Sequence, residues 1–158
     1  MESITLLFIF TSIIIILTPG QDMILVMSRS ITQGKKAGII TAMGTSVGLL
    51  CHTVLATLGL GALLMASEFL FTLIKLLGAF YLFYLGYQLL KSKEHNLLIT
   101  DLPKVSNKKM FWQGAISNIS NPKIAIFYFS YLPQFVSPSS GNETLQLFIL
   151  GLTFSILA

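Results

Sequence analysis

The chain has 158 residues, of which 54% are hydrophobic and only 10% are charged, and its formal net charge is +4. Its mean hydropathy is +0.80. Soluble domains carry about 25% charged residues, so the composition excludes an ordinary soluble globule. Cys51 is the single cysteine, which excludes an intrachain disulfide, and nothing in the composition calls for a cofactor.

Long apolar runs predict an all-α fold, a polytopic bundle of transmembrane helices, because about 20 apolar residues in a helix cross the hydrocarbon. No soluble domain fits between the runs, so we expect 1–158 to form one transmembrane domain. The first run begins with Glu2 instead of basic residues, which favours a retained span over a cleaved signal peptide. The predicted helices lie near 4–28, 37–65, 69–90, 111–135 and 144–158.

The last run, 144–158, is short for a span. At 1.5 Å per residue a helix of this length reaches only about 22 Å, against a hydrocarbon core of about 30 Å. We therefore expect the domain to be incomplete at its C-terminus.

The first run is interrupted by the polar segment Thr18-Pro19-Gly20-Gln21-Asp22. Hydrocarbon cannot satisfy freed backbone groups or a carboxylate, so such a break persists only where it faces protein or a wet cavity. Pro19 removes a donor, and we expect it to free the carbonyl of Ile15. The segment predicts a functional cavity at membrane depth.

The fourth run carries a matching break, Asn118-Ile119-Ser120-Asn121-Pro122-Lys123. Pro122 is expected to free the carbonyl of Asn118. The positions of the two breaks predict a 3+3 inverted repeat with broken first and fourth helices, an arrangement that places a transporter site near the midplane. Two unrelated proline kinks are the alternative, since proline is common in transmembrane helices.

Basic residues concentrate in alternate predicted connections, the first around Arg29, Lys35 and Lys36 and the third in a loop at 91–110. The positive-inside rule makes these connections cytoplasmic and places the N-terminus outside. The basic residues are thus interpreted as topology signals, and a nucleic-acid partner is not expected. Binding of the 91–110 loop to anionic lipid or a cytosolic partner is an alternative.

The second run has small residues at a spacing of four: Gly44 and Gly48, followed by His52 and Ala56. This stripe predicts close helix packing, within one chain or between the subunits of a homo-oligomer. His52 could relay protons, because histidine titrates near neutral pH. A hydrogen-bonded packing role is the alternative.

Six short motifs occur in order along nearly the whole chain. They are Thr18-Pro19-Gly20 with Asp22, Gln33-Gly34, Gly44 with Gly48, Tyr84-Leu85-Gly86, Asn121-Pro122-Lys123 and Leu132-Pro133-Gln134-Phe135. Together they resemble the LysE/RhtB family of amino-acid exporters. The sequence differs from the family pattern at Gln21, where a second proline is usual, and at the C-terminus, where the family continues to a sixth span.

The resemblance implies efflux of small neutral amino acids, such as homoserine, threonine or leucine, across the inner membrane by proton antiport. Asp22 is the candidate proton carrier, because a buried carboxylate can alternate between a protonated state and a state paired with a cation. A capping role for Asp22 at the start of the following half-helix is the alternative.

The predicted substrate and proton site takes residues from both breaks: Thr18, Pro19, Gly20 and Asp22 from the first, and Asn118, Asn121, Pro122 and Lys123 from the second. Lys123 could bind the substrate carboxylate or pair with Asp22, or it could snorkel to the membrane face. Asn118 and Asn121, three residues apart and therefore expected on one helix face, could hydrogen-bond a zwitterion or a neighbouring helix.

Other functions are weighed against export. An enzyme is not expected, because an intramembrane protease needs paired aspartates or a serine near a histidine, and Ser46 and His52 lie on different faces of one helix. A divalent-cation exporter of the same superfamily could use Cys51, His52 and Asp22 as ligands. A passive channel or a non-transporting assembly subunit is a further alternative.

Overall fold

A computed structural model describes residues 2–91, 102–137 and 141–158. Over these ranges the fold contains seven α-helices, a short 3-10 helix at Leu132–Phe135 and no strand, which confirms the all-α class. The helices are α1 (Glu2–Leu17), α2 (Gln21–Gln33), α3 (Lys35–Ala66), α4 (Glu68–Lys91), α5 (Asn107–Ile119), α6 (Pro122–Tyr131) and α7 (Glu143–Leu157).

The first and fourth predicted runs are each divided into two helices. α1 and α2 are bent by 55° at a break that contains Pro19 and Gly20. α5 and α6 are separated at Ser120 and Asn121, and Pro122 is the first residue of α6, where its missing N–H leaves no helical hydrogen bond unmade. The inverted relation between the two halves stays a prediction.

The predicted bounds of the first connection, 29–36, are wrong. α2 continues to Gln33, and Gly34 alone separates it from α3, so Arg29 lies inside a helix and Lys35 begins the next one. Gly34 has φ +89°, a conformation that glycine adopts without steric cost. The 91–110 loop is also shorter than predicted, because α5 already begins at Asn107, and its residues 92–101 lie outside the described ranges.

α3 is the central helix, and α2, α5 and α7 pack along it. The stripe faces α5 of the same chain: a Cβ added at Gly44 would overlap the Phe111 carbonyl oxygen, and one at Gly48 would lie 2.6 Å from the Asn118 side chain. Close backbone approach of this kind is typical of packing at small residues in membrane helices.

By length and composition, α3 could cross a bilayer as a single helix, and the bent pair α1–α2 adds a second candidate if it is one span. This count refers to the described ranges. α7 is apolar but shorter, so the predicted number of spans stays a prediction.

Candidate functional site

Asp22 accepts three side-chain hydrogen bonds, two from the second break and one from Ser117, the residue directly before it. Ser117 Oγ donates to Oδ1 at 3.0 Å, while Asn118 Nδ2 and Asn121 Nδ2 donate to Oδ2 at 2.8 and 3.0 Å. Three donors converging on one carboxyl group match an ionised acid, which only accepts. The two polar breaks, 95 to 99 residues apart in sequence, thus meet at one carboxylate.

The helix ends position these groups. Asp22 lies in the first turn of α2, where the helix dipole favours a negative charge. The residue preceding α2 is Gly20, which supplies no side-chain cap. Among the described residues, the Asp22 carboxylate binds side chains of α5 and the N-cap of α6 and not a backbone N–H at the start of α2.

Asn118 and Asn121 do not share one helix face, contrary to the expectation from their spacing. Asn118 lies in the last turn of α5, and Asn121 is the N-cap of α6, where its Oδ1 accepts from the Lys123 backbone N–H at 3.0 Å. Both amides still reach Asp22, because the chain turns between them.

Lys123 extends from the first turn of α6 to the first break. Its Nζ donates to the Thr18 carbonyl oxygen at 3.3 Å. A Cβ on Gly20 would lie 3.3 Å from the same Nζ, so the missing side chain leaves room for the ammonium group beside the backbone. Lys123 thus contacts the first break directly, through the Thr18 backbone carbonyl.

The carbonyls expected to be free are in fact occupied. The Ile15 oxygen accepts from Thr18 N–H at 3.2 Å, and the Asn118 oxygen accepts from Asn121 N–H at 3.0 Å. The Asn118 oxygen also receives His52 Nε2 at 3.1 Å, and since a carbonyl only accepts, this nitrogen must carry the hydrogen.

His52 is buried on α3, and its ring lies 5.7 Å from the ring of Tyr128. His52 and Asp22 contact different groups of Asn118, its backbone carbonyl oxygen and its side-chain Nδ2. These two bonds therefore do not form a continuous path for a proton from His52 to Asp22. The geometry instead lets His52 orient the last turn of α5.

A cavity of about 420 Å³ opens beside Asp22, between the two breaks and α3. It has a polar end and an apolar wall. The polar end contains Thr18, Gly20, Asp22, Asn118, Asn121 and Lys123. The apolar wall contains Ile16, Met23, Leu49, Ile124, Phe127 and Phe154.

Two site residues were missed from the sequence. Ser117 binds Asp22 directly, and Gln21 Nε2 donates to Ser117 Oγ at 3.2 Å. Gln21 thereby orients the hydroxyl toward the carboxylate. Their positions could have indicated a role in the site, because Ser117 directly precedes the second break and Gln21 lies within the first.

The proposed metal ligands are not assembled. Cys51 is a free, partly buried thiol, and His52 is bound to the Asn118 carbonyl oxygen. Within the described ranges, no three His, Cys, Asp or Glu side chains are grouped to hold a metal ion.

Comparison with known proteins relates the chain to membrane transporters. The family model of the LysE type translocators matches residues 13–158. An uncharacterized membrane protein, YrhP, of Bacillus subtilis is 39% identical over 152 residues, which are 90% of this chain and 72% of the relative. A leucine efflux protein of Salmonella typhimurium is 32% identical over 151 residues, 93% of this chain and 70% of the relative. No solved structure matches the chain.

Proposed function

We propose that this chain, which belongs to the LysE type translocator family, exports a small neutral amino acid with an apolar side chain, such as leucine, in exchange for protons. The family and its relatives make it a membrane protein. One observation carries the proposal: the Asp22 carboxylate and the Lys123 ammonium both line the polar end of an otherwise apolar cavity.

The cavity offers complementary groups to each part of a zwitterion. The substrate ammonium would pair with Asp22 in place of the donors Ser117 and Asn121. The substrate carboxylate would accept from Lys123 in place of the Thr18 carbonyl oxygen. Each new bond joins two charged groups, whereas each bond that it replaces joins a charged group to a neutral one. The apolar wall then favours an aliphatic side chain, in agreement with the leucine efflux named for one relative.

Proton coupling follows from competition for one carboxylate. A proton and a substrate ammonium cannot both occupy Asp22, and either one neutralises a charge that is costly to bury. Binding of a proton from one side and of substrate from the other gives antiport. The remaining roles of Pro19, Gly20 and Pro122 are to open the breaks that bring Asp22 and Lys123 into the cavity.

The proposed setting is a bacterial inner membrane crossed several times, with the N-terminus outside. The end of the bundle that carries Lys35, Lys36, Lys108 and Lys109 is then cytoplasmic, as is the 91–110 loop. Residues 1–158 belong to one transporter domain in this proposal, and association of copies into a homo-oligomer is compatible with it.

Proteoliposomes that contain the purified protein test the function. We expect an imposed proton gradient to drive uptake of labelled leucine against its concentration gradient, with isoleucine and valine competing and lysine and glutamate failing to compete. The same vesicles should be tested with cadmium. Gradient-driven cadmium flux without leucine flux would contradict amino-acid export and favour the metal alternative.

Lys123→Gln tests the carboxylate contact. We expect KM for leucine to rise about tenfold or more, since a charge-assisted hydrogen bond contributes roughly 1.5–3 kcal/mol and about 1.4 kcal/mol corresponds to tenfold. Inhibition by leucinamide, which lacks the carboxylate, should change little. Lys75→Gln on α4 is the matched control and should leave KM unchanged; equal weakening of leucine and leucinamide by Lys123→Gln would contradict the assignment.

A further inference from the structure

The contact between α2 and α5 is small and polar. Each of these helices packs extensively along α3, but they touch each other only sparsely. Within the described ranges, their side-chain hydrogen bonds lie in two places, around Asp22 and around Arg29. Seven residues separate these two positions on α2, which corresponds to two turns on one face and about 10 Å along the axis.

Arg29, the single arginine of the chain, is almost fully buried, with 2% of its surface exposed. Its Nη1 donates to Gln33 Oε1 and to the Pro103 carbonyl oxygen, both at 2.7 Å, and its Nη2 donates to Gln113 Oε1 at 2.6 Å. Its Nε has no hydrogen-bond partner among the described residues. Within the part of the chain that the structure describes, every acceptor of this buried cation is therefore a neutral oxygen.

The same cluster attaches the segment that precedes α5. Gln33 Nε2 donates to the Val105 carbonyl oxygen at 3.0 Å, and Val105 N–H donates back to Gln33 Oε1 at 3.2 Å. Gln33 therefore binds both Arg29 and the backbone of the segment. The end of α2 is joined to α5 and to the chain entering it by one hydrogen-bonded cluster.

The cluster lies at the end of the cavity. Val26 and Met27 of α2 and Thr45 of α3 line the cavity, and Arg29 occupies the next turn of α2 beyond them. A substrate passing between α2 and α5 toward the Lys36 end of the bundle would have to cross this cluster.

We propose that Arg29, Gln33 and Gln113 form a gate that closes this end of the cavity and opens when α2 and α5 separate. A buried charge is costly to desolvate, and the hydrogen bonds that Arg29 makes to neutral oxygens among the described residues offset this cost only partly. Separation of α2 and α5 would return the Arg29 guanidinium to water. The gain in hydration would compensate for the lost hydrogen bonds, so the open and closed states are close in free energy. The gate rests on the proposed transport function for its purpose, but not on the identity of the substrate.

The test uses thiol accessibility, which is measured without any transport. Thr45→Cys in a Cys51→Ala background places one thiol in the cavity, and a membrane-impermeant maleimide is added to vesicles of either orientation. We expect Arg29→Gln to raise the labelling rate from the Lys36 side about tenfold, because the charge-assisted contacts to Gln113 and Pro103 are lost.

Gln113→Glu tests the same gate in the opposite direction. It gives Arg29 a carboxylate partner of the same shape, and we expect labelling from the Lys36 side to fall about tenfold, because an ionic pair holds the closed state more strongly. Lys36→Gln, which removes an exposed charge at the same end, is the control and should leave the rate unchanged.

The outcomes separate the gate from the function. An unchanged labelling rate in Gln113→Glu would overturn the gate, even if Arg29→Gln failed to fold. An equal increase of the labelling rate from both sides in Arg29→Gln would also overturn it, because that result indicates general loosening of the fold. Opposite changes in the two variants, in a protein that moves no leucine, would support the gate and contradict the proposed substrate.

Discussion

Asp22→Asn is expected to reduce proton-driven leucine flux by about 100-fold or more. The variant keeps the size of the side chain but can neither bind a proton in the physiological range nor pair ionically with an ammonium group. Loss of a charged contact costs about 3 kcal/mol, which corresponds to about 100-fold. The measurement is gradient-driven uptake of labelled leucine into proteoliposomes with equal protein content.

The hydrogen bonds of the site allow Asp22→Asn to isolate the loss of charge. The asparagine oxygen can accept from Asn118 and Asn121 as Oδ2 does, and its Nδ2 can donate to the Ser117 hydroxyl, which also accepts. Glu68→Gln is the matched control, because this exposed carboxylate at the start of α4 lies away from the cavity. Undiminished coupled flux in Asp22→Asn would remove Asp22 from the mechanism.

Gly44→Ala is expected to destabilise the fold by about 1–3 kcal/mol, the usual cost of overpacking a close contact. The added Cβ would overlap the Phe111 carbonyl oxygen and would lie 2.9 Å from its carbonyl carbon, both backbone atoms of α5. Backbone cannot swing aside as a flexible side chain does, so α3 and α5 must separate. The measurement is the melting temperature of the purified protein in detergent.

Gly86→Ala is the matched control for this prediction. A Cβ at Gly86 on α4 meets no atom of the described residues within 4 Å, and alanine favours a helix over glycine by about 1 kcal/mol. The control should therefore melt at the same temperature or slightly higher. Equal melting temperatures for Gly44→Ala and the parent protein would contradict the close α3–α5 contact.

The two breaks were predictable because they violate the pattern around them. A proline, a glycine and a carboxylate are costly in an apolar run, so Thr18 to Asp22 and Asn118 to Lys123 were identified from local composition. Helix boundaries were less accurate: the sequence placed Arg29 in a connection, since a lone basic residue near the end of a run is typical of a topology signal.

The clusters could not be predicted, because their members are far apart in the chain. Arg29 meets Gln113 across 84 residues and Pro103 across 74, and no periodicity within α2 indicates those partners. Ser117 was missed for the same reason, since a serine next to a polar break gains a role only when another helix presents a carboxylate to it.

By itself, the amino-acid sequence determined an all-helical chain, two interrupted runs and the residue types that can bind the two charged groups of a zwitterion. These features depend on local hydrophobicity and backbone chemistry. The tertiary structure alone decided that Asp22 is held by Ser117, Asn118 and Asn121, that Lys123 reaches the Thr18 carbonyl, and that Arg29 is buried. Which polar groups meet is set by how closely α2, α5 and α6 approach around α3, and that approach depends on packing between distant segments of the chain.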